Sequence, residues 1–124
     1  MIEGTVNSAL EAVIALTVSG TAERSRRVSA LIDTGYSGHV TLPSEVVHDL
    51  GLVRVGTTTA ELANGDELDF ETYIASVGWS GDQRGITVHR VETRPLIGMR
   101  LLEGHRLQVD VEHGGRVLIE PLTR

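Results

Sequence analysis

No stretch of this chain holds one periodicity for long. Apolar residues alternate with polar ones over short runs, and then a glycine, asparagine or proline intervenes. Ile14, Leu16 and Val18 alternate with Ala15 and Thr17, the spacing of a strand with one buried face. Leu107, Val109 and Val111 repeat that pattern near the C-terminus. Asn64-Gly65, between strand-like runs at 57–63 and 67–70, is the strongest hairpin signal. A chain punctuated this way has to lay short strands side by side through tight turns.

Read in order, strands are expected at 2–6, 10–18, 27–32 and 39–42, with Asn7-Ser8 as a turn and a polar loop at 19–26. Pro43 suits the first position of a short helix, where its missing N–H costs nothing. Val46, Val47 and Leu50 share one face of that helix. Gly51 fits the left-handed residue that closes it, with Leu52 as its apolar partner. The next strand, 72–79, places Tyr73, Ala75, Val77 and Trp79 on one face. It turns at Gly81-Asp82-Gln83 and returns over 85–91. A second short helix at 99–103 ends at Gly104, and Gly114-Gly115 turns the chain into a last strand at 117–119. The expected fold is mainly β, a barrel or sandwich with two short helices, in one domain spanning 1–124.

Composition removes several functions. There is no cysteine, so disulfides, thiolate metal sites and cysteine nucleophiles are excluded. The net charge is −6, and Arg24, Arg26 and Arg27 read as a solvated loop, so no nucleic-acid partner is expected. Phe70 and Trp79 read as core, because only 3% of the chain is aromatic and no stacking platform appears. No apolar run approaches the ~18–20 residues that span a bilayer, so no membrane partner is expected. Glu3 stands where a leader would be basic. A cytoplasmic location is the expectation, in keeping with the absent cysteines. The five histidines show no i, i+4 pair, so neither a metal nor any other cofactor is expected. His39 is near enough to Asp33 in sequence to line a site, although a structural histidine is the plainer reading. Asp66, Glu67 and Asp110 read as solvated charges.

One segment carries chemistry. In Ala30-Leu31-Ile32-Asp33-Thr34-Gly35 an apolar strand runs into a carboxylate, a hydroxyl and a glycine. An aspartate at a strand end is, by itself, more often a turn former. Here the preceding apolar residues favour a fixed, partly buried carboxylate. Thr34 supplies a hydroxyl donor, and Gly35 permits close approach of another backbone.

Asp33-Thr34-Gly35 after Leu31-Ile32 resembles the active-site loop of aspartic proteases. Leu96-Ile97-Gly98, leading into a short helix, resembles the second signature of that superfamily, which packs beside the loop. The Asn64-Gly65 hairpin falls between them, where those enzymes carry a flap. The chain is similar to retropepsin-like, single-lobe aspartic proteases of bacterial and archaeal type. It differs from viral and pepsin-like enzymes in having Tyr36 and Ser37 after the tripeptide.

The resemblance implies an acid-protease barrel and a peptide hydrolase whose catalytic residue is Asp33. It needs two carboxylates, and the chain has one Asp-Thr-Gly, so it implies a homodimer with one Asp33 from each subunit. It also implies that Thr34 bonds across the twofold and that Leu62, Ala63, Asn64, Gly65 and Asp66 close over an extended peptide. The same dimer used to bind peptides or assemble, with little hydrolysis, is an alternative; Tyr36 crowding the cleft would be its physical reason. A monomeric β domain in which Asp33 only shapes a turn is a third reading.

Overall fold

The structure is a computed structural model and describes residues 1–61 and 64–123. The strands are β1 (Ile2–Val6), β2 (Ala12–Ser19), β3 (Ser25–Ile32), β4 (Val40–Leu42), β5 (Val53–Glu61), β6 (Glu67–Trp79), β7 (Asp82–Arg90), β8 (Leu96–Ile97), β9 (His105–Val109) and β10 (Arg116–Pro121). Helix α1 (Ser44–Asp49) follows β4, and α2 (Met99–Leu102) follows β8. Six strands close on themselves in the order β2-β6-β7-β4-β8-β3, because β6 bonds β2 as well as β7. Such closure removes the edges that an open sheet would expose. The architecture is therefore mainly β with two short helices, as the alternation predicts, and of the barrel and the sandwich it is the barrel.

The alternation sets the core. Ile14, Leu16 and Val18 of β2 point inward and are buried, whereas Ala15 and Thr17 face solvent. Val77 and Trp79 of β6 and Ile86 and Val88 of β7 fill the barrel from the other side. Burying each such side chain contributes about 1.5–3 kcal/mol. Helix α1 lays Val46 and Val47 on this core and ends as expected. Gly51 has φ +58°, its N–H donates to His48 O, and the Leu52 N–H donates to Val47 O, which is a Schellman closure.

Several element boundaries differ from the sequence reading. Strand β2 starts at Ala12, because Leu10 takes φ +61° in the turn and is 59% exposed. Strand β3 starts at Ser25, before the expected Arg27, and Arg26 pairs with Glu45 and Asp49 on α1. Pro43 precedes α1 as its N-cap with ψ 161° and is not the first helical residue. The turn after Trp79 is Ser80-Gly81, both at positive φ, and Asp82 and Gln83 already lie in β7. Val111 lies beyond β9 and is 69% exposed, since the turn begins before it. Among the described residues no helix is long and apolar enough to cross a membrane.

Candidate active site

Asp33 directly follows β3, where three short elements cross. Strand β8 lies between β3 and β4, parallel to the first and antiparallel to the second. Its register pairs Leu31 with Leu96 and Ile32 with Ile97, and the Ile32 side chain packs against the core. The ladder continues past the strand ends. Leu31 N–H donates to Pro95 O and Asp33 N–H donates to Ile97 O, each at 2.9 Å. Gly98 N–H donates to His39 O at 3.0 Å, and Met99 N–H to Tyr36 O at 2.8 Å. The Leu96 N–H is met by the Oγ1 of Thr41, which is almost fully buried. The backbone on both sides of Asp33 is therefore fixed by main-chain bonds to 95–99.

Glycine is required where these segments cross. A Cβ on Gly98 would lie 2.3 Å from Gly38 O and 2.5 Å from Tyr36 Cδ2. A Cβ on Gly38 would lie 2.3 Å from the Tyr36 hydroxyl oxygen. The Tyr36 ring is thus packed down between the two glycines. Its hydroxyl lies 3.3 Å from Val40 O and 2.8 Å from His89 Nδ1. A hydroxyl has one proton, so donation to Val40 O makes His89 Nδ1–H the donor in the second bond. Burial raises the Tyr36 pKa and lowers that of His89, so both rings are neutral near neutral pH.

Asp33 itself is half-buried, and Thr34 and Gly35 are exposed. The Gly35 N–H donates to Asp33 Oδ1 at 2.9 Å, which orients the carboxylate. It opens onto a cleft of about 870 Å³. One wall is the loop at 35–39; the other is the outer face of β5, β6 and β7. That outer face follows from the period of two. Tyr73, Ala75, Val77 and Trp79 turn toward the core, so Phe70 and Thr72 turn toward the cleft. On β7, Ile86 and Val88 turn inward, and Thr87 and His89 line the cleft.

The cleft wall is bonded to the loop. Phe70 stacks on His89 with centroids 6.0 Å apart, and Tyr36 meets the same ring edge-on at 5.9 Å. His39 Nδ1 accepts from the Thr87 N–H at 3.4 Å and lies 3.1 Å from its hydroxyl. The remaining proton of a neutral ring is then on Nε2. Burial holds the His39 pKa below the ordinary imidazole value, reinforced by Arg84, Arg100 and His89 and opposed by Glu103. Thr58 and Thr72 hydroxyls, 2.7 Å apart, join β5 to β6 on this face.

Of the sequence-derived residues, Asp33 is bonded to Ile97, and Gly98 is bonded to His39 and packed on Tyr36 and Gly38, while Thr34 and Gly35 stand exposed beside Asp33. Asn64, Gly65 and Asp66 are exposed at the end of the β5–β6 hairpin. The Asp66 N–H donates to Asn64 Oδ1, and Gly65 has φ +89°. Leu62 and Ala63 lie outside the described residues. Phe70 is a correction: it is a half-buried cleft residue, because its strand alternates away from the core there. Thr87, His89 and Arg100 also line the cleft and were not singled out. The alternation of β6 and β7 was the available signal for the first two. Among the described residues no group of three His, Asp or Glu is placed to hold a metal ion.

No protein-family model matches the chain, and no curated protein matches it. Among solved structures it is similar to a retropepsin-like aspartic protease from Rickettsia conorii, with a TM-score of 0.58. The alignment covers 98% of this chain and 91% of that one, at 19% identity. The fold is retropepsin-like. The crossing of β3, β8 and β4 that holds Asp33 lies within the matched region, since the alignment spans nearly the whole chain.

Proposed function

We propose that this chain is a homodimeric aspartic endopeptidase with one Asp33 from each subunit as its catalytic pair. The observation that carries this is the placement of Asp33. Its backbone is fixed by Ile97 and its carboxylate is oriented by Gly35. It opens onto a cleft walled by an exposed strand pair. The likeness in fold to a retropepsin-like aspartic protease supports the same reading.

Each subunit supplies half of the chemistry. Two carboxylates brought together share one proton, because like charges at contact distance do not both ionise. The ionised one takes a proton from a water, which attacks the scissile carbonyl carbon. The protonated one donates to the carbonyl oxygen, and protonation of the amine then completes cleavage. Activity follows a bell in pH, on the acidic side, because one member of the pair must stay protonated. The exposed Thr34 hydroxyl is available to bond across the twofold.

The terminal strands bear on how the subunits meet. β1 is bonded by β2 on one side and β10 on the other, and β10 is bonded by β9. β1 meets β2 only at Thr5 and Val6, and β9 is the edge strand of this group among the described strands. The contact proposed is between the two active-site loops, with the β5–β6 hairpins closing over an extended peptide.

Tyr36 does not favour the non-hydrolytic alternative, since its ring is packed between Gly38 and Gly98 with its hydroxyl tethered. The direct test is Asp33→Asn. It should fold and self-associate as the parent does, and lose at least about 10³-fold in cleavage of an unstructured polypeptide. Cleavage at the parent rate would overturn the proposal.

A further inference from the structure

The cleft beside Asp33 is lined by one arginine, Arg100, that has no ion-pair partner among the described residues. Of its described lining residues, Asp33 is the one acid and Arg100 the one arginine, with no lysine. Arg100 is in the first turn of α2, and its N–H donates to Gly38 O at 3.1 Å, which pins its backbone to the active-site loop. Its side chain is exposed and makes no ion pair among the described residues, with Asp33 or with any other acid.

The neighbouring cation is differently placed. Arg84 donates to Leu101 O at 3.0 Å and to Arg100 O at 3.3 Å, so its guanidinium caps the carbonyl end of α2. Arg84 thus holds the Arg100 peptide and leaves the Arg100 guanidinium to the cleft. His39 completes the arrangement. Thr87 occupies its Nδ1, so Nε2–H is the donor still available.

We propose that Arg100, with the Nε2–H of His39, forms a carboxylate-binding subsite that selects peptides carrying a negative charge close to the scissile bond. This rests on the reading of the cleft as a peptide groove. A planar guanidinium and a neutral N–H donor lining one cleft match a carboxylate, which accepts at both oxygens. The rest of the molecule makes the selection positional. The net charge is −6, and Asp66, Glu67 and Asp69 load the hairpin with acid. An acidic residue elsewhere along a bound peptide meets repulsion; at Arg100 it meets the cation. The carboxylate can come from a Glu or Asp side chain or from the peptide's own C-terminus.

The test uses fluorescent peptides with a reduced, uncleavable central amide and an amidated C-terminus. Glu is moved through the positions around that bond, each paired with its Gln counterpart, and a second set keeps a free C-terminal carboxylate. Binding is measured by anisotropy to the parent, Arg100→Gln and Arg100→Lys proteins. At one position the parent should bind Glu roughly tenfold tighter than Gln. Arg100→Gln should lose that preference, Arg100→Lys should keep part of it, and high salt should weaken it. A gain confined to the free-terminus set identifies the chain end as the carboxylate source and supports the subsite equally. Equal binding of Glu and Gln everywhere, a preference that survives Arg100→Gln, or no binding of any peptide overturns the proposal. Cleavable versions of the same peptides separate this from the endopeptidase reading. An Arg100-dependent binding preference without Asp33-dependent cleavage sinks the enzyme and keeps the subsite. Asp33-dependent cleavage without a charge preference, expected in KM more than in kcat, does the reverse.

Discussion

The active-site loop and the β5–β6 hairpin face the same cleft but are fixed by opposite means. The loop is over-determined. Main-chain bonds from Asp33, Gly98, Met99 and Arg100 stitch it to the segment at 95–100, and its packing tolerates no side chain on Gly98. The hairpin is held by its own ladder. β5 bonds only β6 among the described strands, and β6 beyond Thr72 toward the tip bonds only β5. Its supports are polar pairs such as Thr59 with Asp69 and Thr58 with Thr72. Displacing the loop would break buried backbone bonds, whereas displacing the hairpin would cost little buried surface. This division is what the proposed peptidase needs, with its acid held rigidly and the hairpin as the wall that gives.

The sharpest way to break this comparison is a pair of glycine substitutions. Gly98→Ala drives a Cβ into the backbone oxygen of Gly38 and the Tyr36 ring, and should cost about 2–4 kcal/mol in urea unfolding. Gly65→Ala at the hairpin end meets nothing within 4 Å and pays only for φ +89°, about 1 kcal/mol. Equal costs would mean that the loop is no more constrained than the hairpin. Tyr36→Phe sharpens the same point. It removes the bridge from the loop to Val40 O and His89, and should cost about 1 kcal/mol while leaving the fold intact.

The smallest effect expected is a pH dependence of stability. Burial lowers the pKa of His39 and His89, so between their folded values and the ordinary 6.5 the unfolded chain binds more protons. Stability from these rings is present above 6.5 and is lost as pH falls through the folded values. The urea midpoint should therefore drop between about pH 7.5 and pH 5. His89→Gln, which keeps a partner for Tyr36, should flatten that drop. A midpoint unchanged or rising on acidification would contradict the assignment.

Much of this was legible in the sequence. Alternation gave the buried faces of β2 and β6, and Gly51 with Leu52 marked the end of α1, because these are local consequences of residue order. Asp33, Thr34 and Gly35 stood out by their apolar approach, and the partnership with Leu96, Ile97 and Gly98 came through resemblance. What could not be read was non-local. Two residues, Leu96 and Ile97, carry no periodicity of their own; they form a strand because β3 and β4 flank them. Arg100 reads as an ordinary helix cation until α2 is placed against Gly38. Phe70 looks like core in a chain poor in aromatics, and only the register of β6 turns it outward.

The claim on which the account depends is that two subunits complete one site. Its most direct measurement is a titration of parent protein, at fixed concentration, with folded Asp33→Asn protein under conditions that exchange subunits. Mixed dimers then hold one Asp33 each. At equal amounts of the two proteins, cleavage should fall to about half the starting rate, and it should keep falling as more variant is added. A rate indifferent to the added variant, with exchange verified, would show that one chain suffices and would contradict the account.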